Sequence, residues 1–214
     1  MKYEINARNK VKRVPDRGHY DSETVYSILD SGNICHISFV VNNQPFIIPT
    51  LYGREGDKLY IHGAASSRMI KHLESGVNMS LAVTHNDGLV LARSAFHHSM
   101  NYRSVVVFGT AIPVSAEKKS HALKVISDHI IPGRWEEVRE PSAKELKATS
   151  VLELHIEQAS AKIRTGGPKD DKEDYDLNIW AGVVPLNAKY LQPINDELLR
   201  GEIEIPKSVK NLLN

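Results

Sequence analysis

Apolar and polar residues alternate with a period of two through much of this chain, which predicts strands. From Ile34 to Val41, the residues Cys35, Ile37, Phe39 and Val41 fall on one face, and His36 and Ser38 on the other. Asn42-Asn43 is a turn signal, and a second strand runs from Pro45 to Tyr52. Pro49 inside it cannot donate a ladder hydrogen bond, so it marks an edge, a bulge or an opening. Glu55-Gly56-Asp57 predicts the next turn and Lys58 to His62 a third strand, which gives an antiparallel meander. Further strands are expected at Val77 to Val83 (with Leu89 to Arg93 continuing it or starting another), Arg103 to Val114, Val151 to Arg164 and about Ala181 to Leu191. In the 103–114 stretch, Val106, Phe108, Ile112 and Val114 share one face. In 151–164, Leu152, Leu154 and Ile156 point one way. The same period carries Gln158, Ser160, Lys162 and Arg164 onto that face, as at the polar mouth of a barrel.

Helical periodicity interrupts the strands. Asp21 to Leu29 carries a capping Asp21 or Ser22 and an apolar face of Val25, Ile28 and Leu29. Ser66 to Ser75 reads as a short helix stopped by Gly76. Glu117 to Ile130 follows the i, i+3, i+4 pattern through Ala122, Val125, Ile126, His129 and Ile130, and Pro132-Gly133 ends it. Ser142 to Ala148 and Lys207 to Leu213 are shorter candidates. The pattern predicts a mainly β (α+β) fold: a small antiparallel barrel or sheet with helical caps. One domain is expected over 1–194, with a polar arm at 1–18, followed by a tail at 195–214.

Composition narrows the function classes. The 214 residues are 41% hydrophobic and 25% charged, which suits a packed globular core rather than disorder. No apolar run reaches the length of a membrane span, and the N-terminus is polar, so no membrane association, no secretory signal and a cytoplasmic location are expected. The 27 Lys+Arg against 26 Asp+Glu lack the basic excess of a nucleic-acid binder. A single cysteine, Cys35, excludes an internal disulfide and a multi-cysteine zinc site. Ten histidines are unexplained, and none has metal-ligand spacing.

Two segments concentrate chemistry. In HGAASSRMIK, 62–71, a strand end meets a small-residue turn and a helix start. Unpaired N–H groups there attract anions, Ser66 and Ser67 supply hydroxyls, and Arg68 and Lys71 supply cations on one helix face. The alternative is a plain serine cap with two solvated bases. In SAFHHSMNYRS, 94–104, Ser99, Asn101 and Tyr102 sit among donors and acceptors suited to rimming a pocket, or to solvent. The acidic run Lys169 to Asp176 reads as a solvated loop. No catalytic triad is present.

Together these segments resemble a family. RVPDRGHYD at 13–21, QPFIIPTLYGREGDKLYIHGAASSRMIKHL at 44–73, GLVLARSAFHHSMNYRSVVVFGTA at 88–111, PGRWEEVR at 132–139 and SAKIRTGGPKDDKEDYDLNIWAGVVPL at 160–186 are similar to the pyridoxamine 5'-phosphate oxidase-like flavoproteins. The branch resembled is that of the nitroimidazole-resistance and flavin-nucleotide-binding proteins. The resemblance implies a six-stranded antiparallel split barrel and a homodimer holding FMN in two interface clefts. It implies a flavin phosphate at Ser66, Ser67, Arg68 and Lys71, with the ring along Pro49, Thr50 and Leu51. His62, Gly63 and Ala64 would line the ribityl path, Ser99, Asn101 and Tyr102 a neighbouring wall, and Trp180 would reach the flavin of the partner subunit. His62 is the one catalytic candidate. The expected activity is reduction of a small molecule, with NAD(P)H a possible donor. The Arg-x-His motif of vitamin B6 oxidases is absent after residue 164, which argues against pyridoxamine phosphate as substrate. A non-catalytic flavin carrier or sensor, and a haem-binding split barrel, are the alternative readings.

Overall fold

The computed structural model describes residues 1–213. Nine strands form one sheet among these residues: β1 (Gly18–His19), β2 (Ile34–Val41), β3 (Gln44–Glu55), β4 (Lys58–Ala64), β5 (Asn78–Leu91), β6 (Ser99–Pro113), β7 (Thr149–His155), β8 (Gln158–Arg164) and β9 (Gly182–Pro185). Five α-helices accompany them among the described residues: α1 (Ser22–Asp30), α2 (Arg68–Leu73), α3 (Lys119–Ile130), α4 (Ala143–Ala148) and α5 (Lys207–Leu212). All pairings are antiparallel. The order β6-β7-β4-β3-β2-β5 returns from β5 to β6, so six strands close a ring. This is the split barrel expected from the sequence.

The split lies in two strands that change partners along their length. Residues 44–51 of β3 pair with β2, and residues 52–55 pair with β4. Along 44–51 the other edge of β3 is unpaired. Pro45 and Pro49, which lack N–H donors, therefore lose nothing there. β6 divides in the same way, giving 102–108 to β8 and 111–113 to β7. The tight β2–β3 hairpin turns on Asn42 and Asn43, whose φ values of 48° and 64° match the residue preference of a two-residue primed turn.

The barrel core joins Cys35, Ile37 and Phe39 of β2 to Leu59 and Ile61 of β4, Leu81 and Val83 of β5, and Leu152 and Leu154 of β7. α1 and α2 close it with Val25, Ile28, Leu29, Ile70 and Leu73. A smaller cluster of Tyr60, Ala122, Ile126 and Val151 packs α3 outside the barrel against β4 and β7. Gly53 permits that approach: a Cβ there would lie 2.6 Å from the Ile126 Cα.

Two faces differ from the sequence pattern. The run 151–164 is two strands, interrupted where the Ile156 N–H bonds to the Asp57 carbonyl 2.8 Å away. The break shifts the alternation. Leu152, Leu154 and Ile156 face the core, and then Ala159, Ala161 and Ile163 do. Gln158, Ser160 and Lys162 do not continue the inner face. In β6 the core takes Val105, Val107 and Ala111, while Ile112 is 49% exposed. The face with Val106 and Phe108 is thus the outer one.

The ends of the chain differ too. The arm before residue 18 is sewn down: Tyr3 N–H bonds to Tyr20 O at 2.7 Å, and buried Asn9 Nδ2 to Ala159 O at 3.2 Å. The last expected strand shortens to β9, since only residues 182–185 find a partner, at the end of β5. Beyond it the chain runs without strand or helix, turning at residues 196–199 and at Gly201, until α5, where the Ser208 N–H and hydroxyl both bond to Glu137.

Candidate functional site

β4 ends beside two clefts of opposite character. The first is open, about 490 Å³, and lined by Val41, Ser66, Arg68, Lys71 and His72. The turn after β4 is fixed by Ala65 N–H to Ala148 O at 3.0 Å and Ser67 N–H to Ala64 O at 2.9 Å. Ser67 caps α2, its hydroxyl accepting the Ile70 N–H at 3.4 Å. That hydroxyl is engaged, so Ser66 is the serine that faces the cleft. The Arg68 guanidinium stacks 4.2 Å above the Phe46 ring, and Phe46 stacks on Phe39. Among the described residues neither Arg68 nor Lys71 has a carboxylate within ion-pair distance. Two unneutralised cations and a hydroxyl thus converge on one open cleft, the donor set for a phosphate. Phe46 and His72 were not singled out by sequence reasoning. Phe46 is readable there only as an apolar strand residue.

The second cleft lies on the other side of β4, where α3 and α4 cover the sheet. It measures about 460 Å³ and is lined by His62, Leu123, Trp135, Arg139, Glu145 and their neighbours. His62 follows Tyr60 onto the outer face of β4, away from Ile61 and the barrel interior. The structure therefore separates His62 from Ser66, Arg68 and Lys71, because strand alternation and the turn place them in different clefts. Its imidazole makes no hydrogen bond among the described residues, and its Nδ1 is buried. Burial holds its pKa below the usual imidazole value, so the ring is neutral at pH 7. Arg139 grips Glu145 bidentately at 2.9 and 2.7 Å, and Glu145 also accepts the Ser142 N–H. The Arg139 guanidinium, with help from Ser142, holds the Glu145 carboxyl far below the usual carboxylate range.

Seven of the ten histidines are committed elsewhere. His72, His85 and His129 bond to carbonyls of Val40, Ile28 and Gly32. His98 accepts from Ala92 N–H. His97, His121 and His155 face Asp171, Glu55 and Glu153. His19 is half-buried on β1, and His36 is exposed on β2. Among the described residues only His62 is a histidine both unpartnered and lining a cavity. Cys35 is fully buried, and burial pushes its thiol up to about 12, so it is no nucleophile.

The remaining expected residues are spread along the barrel wall. Pro49 and Leu51 point outward opposite His36 and Ile34, while Thr50, opposite buried Cys35, points inward. Gly63 backs onto the Ile70 side chain, and Ala64 is exposed. Ser99, Asn101 and Tyr102 open β6. The Asn101 Oδ1 accepts from buried Arg164, which also donates to the carbonyls of Gly166 and Gly167. Trp180 is 67% exposed, and its ring lies over Gly182 beside β9. None of these lines the Arg68 cleft within one chain. The acidic run is not merely solvated: the Asp170 side chain is fully covered, accepting from the Arg93 and Ser94 N–H groups and pairing with Arg93. That buried carboxylate was not apparent from composition.

A split barrel with a cationic cleft beside its opened β3 edge defines a class of flavin-binding folds. The chain matches the family model described as pyridoxamine 5'-phosphate oxidase over residues 21–163, and it belongs to that family. Among solved structures it is similar to the flavocytochrome Anf3 from Azotobacter vinelandii at 40% identity, with 97% of each chain covered and a TM-score of 0.91. It is also similar to an FAD and haem binding protein from Mycobacterium smegmatis at 35% identity, covering 92% of this chain and 97% of that one, with a TM-score of 0.89. A 5-nitroimidazole antibiotic resistance protein from Bacteroides thetaiotaomicron shares the fold at 21% identity, over 67% of this chain and 84% of its own, with a TM-score of 0.58. No curated protein sequence matches.

Proposed function

We propose that the protein is a flavin-dependent oxidoreductase acting on a small molecule, with the flavin phosphate held by Ser66, Arg68 and Lys71. The carrying observation is the pair of cations without carboxylate partners lining one open cleft. FMN is the expected flavin. FAD shares the same phosphate and is named for the Mycobacterium smegmatis relative. When bound, a flavin supplies hydride and single-electron chemistry. The chain's own part is to fix the phosphate and to expose backbone at the free edge of β3 beside Pro49.

A homodimer completes the reading. Ile34, Val40, Ile47 and Leu51 lie on the outer face of β2 and β3 and are 55%, 54%, 66% and 39% exposed. A contiguous apolar face of this kind supports burial against a second copy. Ile47→Asp is expected to leave a monomer in sedimentation. A dimer that survives would place the interface elsewhere.

The purified protein is expected to be yellow, and mass analysis of the released flavin separates FMN from FAD. Reduction of the bound flavin by NADH or NADPH supports the oxidoreductase reading. Flavin that no donor reduces identifies a carrier or sensor instead. Protein that takes up neither flavin overturns the proposal.

A second reading adds haem to flavin. It is favoured by the two similar proteins whose descriptions name a flavocytochrome and a haem binder, each covering more than nine-tenths of this chain. The structure offers an unpartnered imidazole in a cavity, one of the side chains that can ligate a haem iron. The test is a Soret band from the protein as purified or after addition of hemin.

A further inference from the structure

We infer that Phe46 is the positioning residue of the phosphate grip: its ring holds the Arg68 guanidinium at the cleft without occupying the N–H donors that an anion needs. That role presupposes a flavin phosphate at Ser66, Arg68 and Lys71.

Arg68 is held unlike the other well-placed arginines of this chain. Arg54, Arg93, Arg103, Arg134 and Arg139 are each paired with a carboxylate. Arg54 and Arg93 also lie over aromatic rings, those of Tyr26 and Tyr175, but they keep their carboxylates as well. Arg68 has the ring alone. Its Cζ lies 4.2 Å from the Phe46 centroid, and among the described residues its side chain donates no hydrogen bond. The difference matters chemically. A carboxylate orients a guanidinium by taking its donors and cancelling its charge. A phenyl ring attracts the cation through its quadrupole and has no acceptor atom, so donors and charge both stay available.

The ring that does this is itself fixed. Phe46 stands opposite Phe39 in the β2–β3 register, with ring centroids 5.6 Å apart and planes 16° from parallel. Phe39 is buried in the barrel core. It also meets the His72 ring at 5.5 Å, and the His72 Nε2 lies 2.8 Å from the Val40 carbonyl. The helix α2, which carries Arg68 and Lys71, thus leans on the β2–β3 hairpin through Phe39, Phe46 and His72. Phe46 is only half-buried, which leaves ring surface for the cation.

The placement on β3 links the two ends of the flavin. Phe46 lies three residues before Pro49, within the stretch 44–51 whose second edge is unpaired. At about 3.3 Å per residue the seat of the cation and the free edge at Pro49 are roughly 10 Å apart along one strand. That span is comparable with the ribityl chain that joins a flavin ring to its phosphate. One strand therefore sets the spacing between the cation and the ledge proposed for the ring.

The test titrates FMN and riboflavin, which differ only in the phosphate, into the flavin-free full-length chain and follows flavin fluorescence. The proteins are the wild type, Phe46→Leu, Phe46→Tyr, Arg68→Ala and the double variant Phe46→Leu with Arg68→Ala. The ratio of the riboflavin to the FMN dissociation constant isolates the phosphate, while riboflavin affinity and the thermal midpoint report the fold. The wild type is expected to favour FMN, and Arg68→Ala to lower that preference roughly tenfold or more. Phe46→Leu keeps an apolar side chain without a π face. It is expected to lower the preference roughly two- to fivefold and to leave riboflavin affinity unchanged. Phe46→Tyr is expected to keep the wild-type ratio, and Phe46→Leu to add nothing once Arg68 is gone. A wild type that binds neither flavin, or both equally, overturns the phosphate reading and the role of Phe46 with it. A wild-type preference for FMN overturns the role of Phe46 alone in three cases: Phe46→Leu leaves it intact, Phe46→Tyr loses as much of it as Phe46→Leu, or Phe46→Leu lowers it equally with and without Arg68.

Discussion

The two clefts beside the end of β4 are separated by only a few residues of chain, yet they are built on opposite principles. The Arg68 cleft holds its charges uncompensated and open to water. The His62 cleft has its one cation already neutralised by Glu145, and its imidazole neutral beneath Leu123 and Trp135. An exposed cation without a partner keeps its full attraction for an arriving anion. A neutral, half-dry cavity gains by removing apolar surface from water and by the single bond its imidazole can form. A strand that ends in a sharp turn can serve both, because alternation sends His62 to one side while the turn swings Ser66 and Arg68 to the other.

The largest effect that would break this comparison comes from removing the cations. Arg68→Ala with Lys71→Ala deletes two charged contacts, each contributing roughly 1.5–3 kcal/mol, so flavin affinity should fall by roughly a hundredfold to ten-thousandfold. Hemin binding should not change. Isothermal titration of both ligands checks this, and a parallel loss of the two would show one site rather than two.

A smaller effect separates the clefts from the other side. Gly53→Val sets a side chain against the backbone of α3, where even a Cβ would lie 2.6 Å from Ile126 Cα. Overpacking of this kind costs about 1–3 kcal/mol, read as a lower denaturation midpoint. Because α3 carries Leu123 over His62, hemin binding should weaken, while flavin binding to the folded protein should persist.

The smallest effect sharpens the electrostatic contrast. Raising ionic strength from about 0.05 to about 0.5 M shortens the screening length well below 10 Å. Flavin affinity should drop several-fold, with hemin affinity moving less. Equal salt slopes for both ligands would mean that the two clefts recognise charge in the same way.

Much of the fold was legible in the sequence because alternation is a local property. The β2–β3 hairpin followed from the pattern and the two asparagines, and α3 from its apolar stripe. The convergence of Arg68 and Lys71 on one cleft was legible as well, since spacing alone holds them on one helix face. What escaped depends on long-range pairing. The break after Ile156 is made by a carbonyl at Asp57, nearly a hundred residues away, and nothing in the alternation of 151–164 announces it. The outer placement of Val106 and Phe108 is set by which side of β6 the ring closes on, and both faces of that strand read as apolar. The family resemblance sets His62 on the ribityl path, next to the turn that carries Ser66 and Arg68. Only the path of α3 and α4 shows that it belongs to a different cleft. Asp170 reads as solvated among acids until Arg93 is brought over it.

The interruption between β7 and β8 has a consequence for how this chain tolerates changes of length. The bent linkage at Glu157 acts as a phase setter: everything after it is inward at odd positions because of where the break falls. Loss of a single residue between Ile156 and Ala159 would exchange Ala159, Ala161 and Ile163 for Ser160, Lys162 and Arg164 against the core, whereas loss of two restores the original phase. Length variation at this joint should therefore come in even steps, an arithmetic of parity that expression of paired one- and two-residue deletions reads directly.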